Sequence, residues 1–360
     1  MEYTKEDFNH VFFDERFEVP IRWDGKDFYK TLSDLYDSYS SAFSDIFYAG
    51  VLRPLYPKIR GICNGILEAI KEYLNGNSSS AFQRFNDTVF WELENSTLNI
   101  YNGHPFDSAL DFRNGNKSKI GQLYRVRKVP DNRIYAREEI FHTPFCLRSK
   151  VATNRYSIAG YPSLYLSTSV DLCLEELDYS RNLGRYIAAR FAINGSENKI
   201  KILELGIKPS DFKRVPDKMA EDPKKYKRQS LLKDIELIDS KTIENYFLWY
   251  PLILACSFIR INKEDPFSIE YIIPQLLMQS IKVQSKNIII GIRYFSCSSV
   301  LASDMGFNYV FPTLYSGGEE LFCSTLKKVF PLTAPLYLNE YTDNRYLETA
   351  LKNKKVDFIV

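Results

Sequence analysis

The chain has 360 residues, 45% of them hydrophobic and 15% aromatic, including 25 Tyr and 25 Phe, a load that excludes a disordered polymer. Its formal net charge of +2 excludes a global basic field of the kind that draws nucleic acid or an anionic membrane. The opening MEYTKEDFNH is charged and has no apolar signal core, and the six cysteines occur singly, so a soluble protein of the reducing cytoplasm with buried thiols is expected.

In chain order, the first third reads helical. Ile62, Ile66, Ile70 and Leu74 recur every four residues, GNSSS at 76–80 stops one helix and caps the next, and Phe82, Phe85, Val89 and Leu93 continue the spacing. The turn-rich stretch 102–119 predicts a boundary, with a helical N-terminal accessory domain over 1–118 and a mixed α/β domain over 119–360. After it, LYRVRKV (123–129), SLYLS (163–167), YIAARFAI (186–193), KIKILEL (199–205), NIIIGIRYFS (287–296) and FNYVF (307–311) carry strand patterns. Helices are expected at 169–180, within 242–259 and from 270, giving an α+β class. The apolar run 246–259 is 14 residues long with Pro251 inside, too short for a bilayer, so no membrane partner is expected. The stretch 208–233, with nine basic and four acidic residues and three prolines, reads as a solvated loop rather than a phosphate-binding patch.

The chain carries no GxGxxG fingerprint, Walker loop, HExxH or GxSxG elbow. His10, His104 and His142 are far apart and form no ligand cluster, so no metal is expected. What remains is polar residues set in apolar patterns. In LYRVR, alternation puts Arg125 and Arg127 on one face, with Tyr124 and Val126 on the other. In RYSIAGYPSLYLSTSVDLCLEEL, a helix capped by Ser169 places Leu172, Cys173, Glu176, Leu177 and Ser180 on one face; Asp171, Glu175 and Asp178 lie on another. Glu176 therefore looks inward and Glu175 outward. Ser296 ends an apolar strand, where a hydroxyl can meet a pocket. A structural ion pair, a turn cap and a rim residue are the plainer explanations for these three.

Five segments in order, LYRVR, the stretch 155–177, FSIEYIIPQLL, GIRYFS and FNYVF, resemble the RES domain, a bacterial family named for an Arg, a Glu and a Ser; they span about 123–311. The resemblance maps those three onto Arg125, Glu176 and Ser296 as catalytic residues. It maps a pocket tyrosine onto Tyr165 and a motif arginine onto Arg155, while Ser157 departs from the asparagine many members carry. It implies a fold similar to ADP-ribosyltransferases and an NAD-degrading toxin, an NAD phosphorylase or glycohydrolase. NAD would be its substrate and inorganic phosphate a co-substrate if phosphate rather than water is the acceptor. It further implies an antitoxin partner with a helix-turn-helix domain, and leaves room for a homo-oligomer. In such a site Glu176 would stabilise an oxocarbenium-like ribose, with a cationic neighbour keeping it ionised. Arg125 would hold phosphate in a two-pronged grip, Ser296 would donate to a phosphate or ribose oxygen, and Tyr165 and Tyr294 would stack on nicotinamide. Two other readings stand beside this one. Arg137 and His142 in REEIFH match the R-x4-H spacing of HEPN ribonucleases, although Pro144 follows closely. A non-catalytic binding module on the same fold is the third.

Overall fold

The computed structural model describes residues 15–47, 53–95, 122–177, 184–194, 201–212, 240–262, 264–284, 289–315, 317 and 319–359. The 102–119 boundary, residues 213–233 of the basic stretch, Asp178, Ser180, His10 and His104 lie outside these.

Helices α1 (Phe28–Phe47), α2 (Tyr56–Leu74), α3 (Ser78–Phe85) and α4 (Trp91–Asn95) open the described chain. The predicted stripe is real: Ile62, Ile66 and Ile70 are buried, as are Phe85, Val89 and Leu93. Leu74 departs from it, exposed on the last turn of α2, and Gly76 follows with a positive φ of 85°, a backbone that side-chain-bearing residues rarely adopt.

The remainder is built on strands β1 (Leu123–Val129), β2 (Ser163–Ser167), β3 (Arg185–Phe191), β4 (Lys201–Leu205), β5 (Ile289–Tyr294), β6 (Asn308–Pro312), β7 (Leu332–Thr333), β8 (Leu336–Tyr337) and β9 (Val356–Asp357). They form one sheet in the order β4-β5-β6-β2-β1-β3-β7-β9, with β8 also on β3; β4 and β5 run parallel and the other pairs antiparallel. The β4-to-β5 connection carries α6 (Ser240–Ala255) and α7 (Ile272–Gln284), the helical crossover that a parallel pair requires. Helix α5 (Val170–Glu176) follows β2, and α8 (Ser324–Val329) and α9 (Asn344–Asn353) come late. All six expected strands are present, each within two residues of its predicted ends. Helices plus a mixed sheet make the chain α+β.

The described N-terminal helices pack against the later chain. Phe17, Leu32, Tyr36, Ile59, Ile66 and Phe85 share one apolar core with Trp249 and Leu252 of α6, Leu277 of α7, Leu203 and Leu205 of β4, and Ile292 of β5. Buried tyrosines tie the two parts together: Tyr36 donates to the Pro251 carbonyl (2.9 Å), Tyr39 to that of Phe247 (2.8 Å) and Tyr250 to that of Phe17 (2.5 Å). Periodicity reported helices correctly but said nothing about their partner, which is the crossover helix pair. Among the described residues, no helix is long and apolar enough to cross a membrane.

Candidate functional site

The register concentrates polar residues at one end of the central strands. Ser167 closes β2, Tyr294 closes β5, and both pair with Asn308 at the start of β6; Tyr124, beside Arg125 on β1, pairs with Ser167. Because β2 and β5 are parallel through β6, their carboxyl ends and the helix leaving β2 meet at this edge. Ser169 caps that helix by accepting from the Leu172 N–H (3.2 Å), as the sequence predicts.

A cleft of about 390 Å³ opens here; its walls include Arg125, Arg155, Tyr165, Glu176 and Tyr294, five of the six candidate residues. The sixth, Ser296, is fully buried behind Glu176 and donates to its Oε1 at 2.6 Å. Asn308 Nδ2 donates to the same oxygen, also at 2.6 Å, and Asn308 Oδ1 accepts from Ser167 Oγ at 2.6 Å, which fixes the amide's orientation. Ser296 Oγ in turn accepts from the Ser298 N–H (3.2 Å) and meets Ser298 Oγ at 2.9 Å. Oε2 of Glu176 takes no hydrogen bond from a described residue.

Glu176 is not buried in the core as its stripe predicts. Leu172 and Cys173 are buried, but α5 ends at Glu176, so the stripe runs out over the cleft and both Glu176 and Leu177 are exposed. Glu175 is exposed too and lines no part of the cleft. Among the described residues no guanidinium forms an ion pair with Glu176; neutral donors hold its Oε1. Asn308 and Ser167 were missed as site residues. The signal available was a polar residue at the end of each apolar strand.

Arg125 lies half-buried, donates from Nη1 to the Tyr165 carbonyl (3.2 Å) and leaves Nε buried without a partner among the described residues. Desolvation, with Arg127 nearby, lowers its guanidinium to about 10, so it stays charged at neutral pH. Tyr124 and Val126, on the opposite face, pack with Val170 and Leu174 of α5 as alternation predicts. Arg155 is a wall-builder: its terminal nitrogens donate to the carbonyls of Cys256 (3.1 Å) and Phe258 (2.8 Å). Tyr165 places its hydroxyl 2.5 Å from Ser157 Oγ, so Ser157 orients the tyrosine ring that lines the cleft. Tyr294 packs on Tyr156 with ring centroids 4.7 Å apart, and burial raises its hydroxyl pKa well above the usual tyrosine range. Cys173 also lines the cleft, but burial pushes its thiol up to about 12, which makes it a poor nucleophile at neutral pH.

The R-x4-H pair forms no site. Arg137 begins a four-residue 3-10 helix and donates to the Leu332 carbonyl (2.9 Å). His142 is fully buried, with Nδ1 on the Thr143 carbonyl (2.8 Å) and Nε2 accepting from the Cys323 N–H (2.9 Å). Among the described residues no His, Cys, Asp or Glu cluster is arranged to hold a metal.

The chain is 27% identical over 284 residues to a Bacillus subtilis (strain 168) protein described as "Putative toxin YopC", an alignment that covers 78% of this chain and 58% of that one. The chain thus matches little more than half the length of that relative. No protein-family model matches the chain. No solved structure matches it either.

Proposed function

We propose that the cleft binds NAD and breaks its nicotinamide–ribose bond, and that the protein acts as a toxin through this loss of NAD. The observation that carries this reading is Glu176, whose Oε1 is fixed by Ser296 and Asn308 while the side chain stays open to a cleft that also contains Arg125. Nicotinamide leaves a cationic pyridinium as a neutral base, so the reaction needs charge stabilisation at the ribose carbon more than an acid. A carboxylate held in place by neutral donors supplies that without reorganising. The described surroundings of Ser296 contain a carboxylate, a serine and an asparagine but no imidazole, which favours a hydrogen-bonding role over a nucleophilic one. The resemblance to the RES domain supports the choice of NAD, and the similarity to a protein described as a toxin supports the biological role. Inorganic phosphate or water serves as acceptor; an antitoxin with a helix-turn-helix domain and self-association belong to the same reading.

Incubating the full chain with NAD, with and without phosphate, tests it directly. Chromatography should show free nicotinamide, with ADP-ribose or its 1″-phosphate as the second product. Unchanged NAD after prolonged incubation in both buffers overturns the proposal, and cleavage of RNA in a parallel tube replaces it.

A further inference from the structure

The cleft contains a cation that none of the family motifs includes. Three arginines, Arg125, Arg155 and Arg260, line it against one carboxylate, Glu176. None of the three forms an ion pair among the described residues, although the buried guanidinium of Arg293 does. Arg155 spends its terminal nitrogens on backbone carbonyls. Arg260 is less committed: it donates from Nη2 to the Asp265 carbonyl, and its Nε is buried without a partner among the described residues. Two half-desolvated guanidiniums, Arg125 and Arg260, thus keep unused donors in one cleft. Such an arrangement is unfavourable until an anion enters it.

Arg260 is also held in place. Its guanidinium lies 5.6 Å from the Tyr271 ring centre, and Arg155 lies 4.9 Å from the same ring. The segment that carries it, just after α6, is strapped from outside. Ile21 pairs with Phe258, donating to the Ser257 carbonyl (2.9 Å) and accepting from the Ile259 N–H (2.9 Å). Glu270 Oε1 accepts from Trp23 Nε1 (3.1 Å) and from the Ile261 N–H (3.4 Å). The N-terminal region therefore helps build this wall of the cleft. Tyr165, whose carbonyl accepts from Arg125, lines the same cleft as both arginines.

We propose that Arg260 and Arg125 form a two-point clamp for an organic diphosphate, Arg260 gripping one phosphate and Arg125 the other. The inference deepens the NAD reading of this cleft by naming the group that would recognise the dinucleotide's pyrophosphate bridge. It makes the N-terminal strap part of substrate binding. A guanidinium fork suits each phosphate's paired oxygens, which an ammonium does not match.

Calorimetry with ADP and AMP as probes tests the clamp on the full chain without any turnover. Wild-type protein should bind ADP at least about tenfold more tightly than AMP, the scale of one charge-assisted contact. Arg260→Gln should erase that preference, and Arg260→Lys should restore only part of it. Each variant is measured only if it melts cooperatively at the wild-type temperature. If neither is stable, the wild-type ADP-over-AMP preference still decides. Equal binding of the two probes by wild type, no binding of either, or an Arg260→Gln variant that keeps the preference overturns the clamp. Nicotinamide release reports separately on the NAD reading: a clamp without release sinks only that reading, and release with Arg260→Gln indistinguishable from wild type sinks only the clamp.

Discussion

Two glutamates, one near the carboxyl end of the edge strand β4 and one at the end of the helix that leaves β2, are held in opposite ways. Glu204, on β4, is 2% exposed; its Oε2 pairs with Arg293 across the β4–β5 register, and its Oε1 accepts from the Gly206 N–H at 2.6 Å. Arg293 lies over the Phe307 ring, sealed from water. Glu176 is exposed, and its contacts are with an alcohol and an amide. A carboxylate neutralised by a guanidinium has no field left to act on a ligand. One fixed by neutral dipoles keeps its charge and its free oxygen for whatever enters. The difference separates a carboxylate committed to the fold from one available to a ligand better than burial does, since burial alone would have selected Glu204.

The largest effect on this contrast should come from deleting residues 1–118. Leu203 and Leu205, which flank Glu204, bury themselves in the core that the N-terminal helices complete. Removing those helices exposes an apolar face on α6, α7 and β4 together. The deletion protein should show no cooperative melt and should aggregate. A soluble truncate with a wild-type melting curve would mean that the shared core contributes little.

Next in size, the paired substitutions Glu204→Gln and Glu176→Gln should separate stability from activity. Leaving Arg293 without its partner costs roughly 3–5 kcal/mol of folding free energy, read as a lower urea midpoint. Glu176→Gln should keep its midpoint within error but lose about a thousandfold in nicotinamide release, near 4 kcal/mol of transition-state stabilisation. Glu175→Gln should change neither. Reversed outcomes for Glu204 and Glu176 would break the distinction drawn from their partners.

How far the sequence could have shown this depends on the element. Strand patterns placed β1 and β2 to the residue because their alternating or β-branched runs are bounded by turn residues. Helical spacing put Glu176 rather than Glu175 on the side that lines the cleft, yet it could not show that α5 stops there and leaves the side chain at the cleft wall. Asn308 and Arg260 were invisible for a different reason. Each is a single polar residue beside an apolar run, and its role comes from strands or segments far away in sequence that one chain read alone does not align. The shared core was hidden likewise, because an amphipathic face states that it needs a partner and not which one.

A third titratable group extends the comparison to the other face of the sheet. His142 is fully buried and accepts a backbone N–H at Nε2, so the fold requires it neutral; burial lowers its pKa from 6.5 to about 4. Above about pH 6.5 both folded and unfolded states are neutral at this residue, and stability is undiminished. As pH falls towards 4 only the unfolded state takes up the proton, and up to about 3 kcal/mol is lost. Urea midpoints measured from pH 7 to 4 should decline over that window, and His142→Gln should flatten the part of the decline that this ring causes. An unchanged slope in the variant would assign the acid sensitivity to other groups.

The smallest effect expected is the most informative about Glu176. Asn308→Ala removes one of the two hydrogen bonds on Oε1 and leaves Ser296 to hold the carboxylate alone. A hydrogen bond to a charged group contributes roughly 1.5–3 kcal/mol, so turnover should fall about 10- to 100-fold. The loss should appear in kcat with KM nearly unchanged, because the amide touches the carboxylate and not the region around Arg125. Asn308→Asp keeps the shape but cannot donate while ionised, and should be at least as damaging. Ser167→Ala should be milder still, since Ser167 only orients the amide through Asn308 Oδ1. Asn308 is itself buried, so each variant must be shown to melt cooperatively before its rate is compared. If kcat in Asn308→Ala matches wild type while Ser296→Ala is inactive, the serine alone positions the carboxylate and the amide belongs to the sheet. If KM rises and kcat holds, Glu176 binds the substrate's ribose rather than stabilising the charge that forms on it.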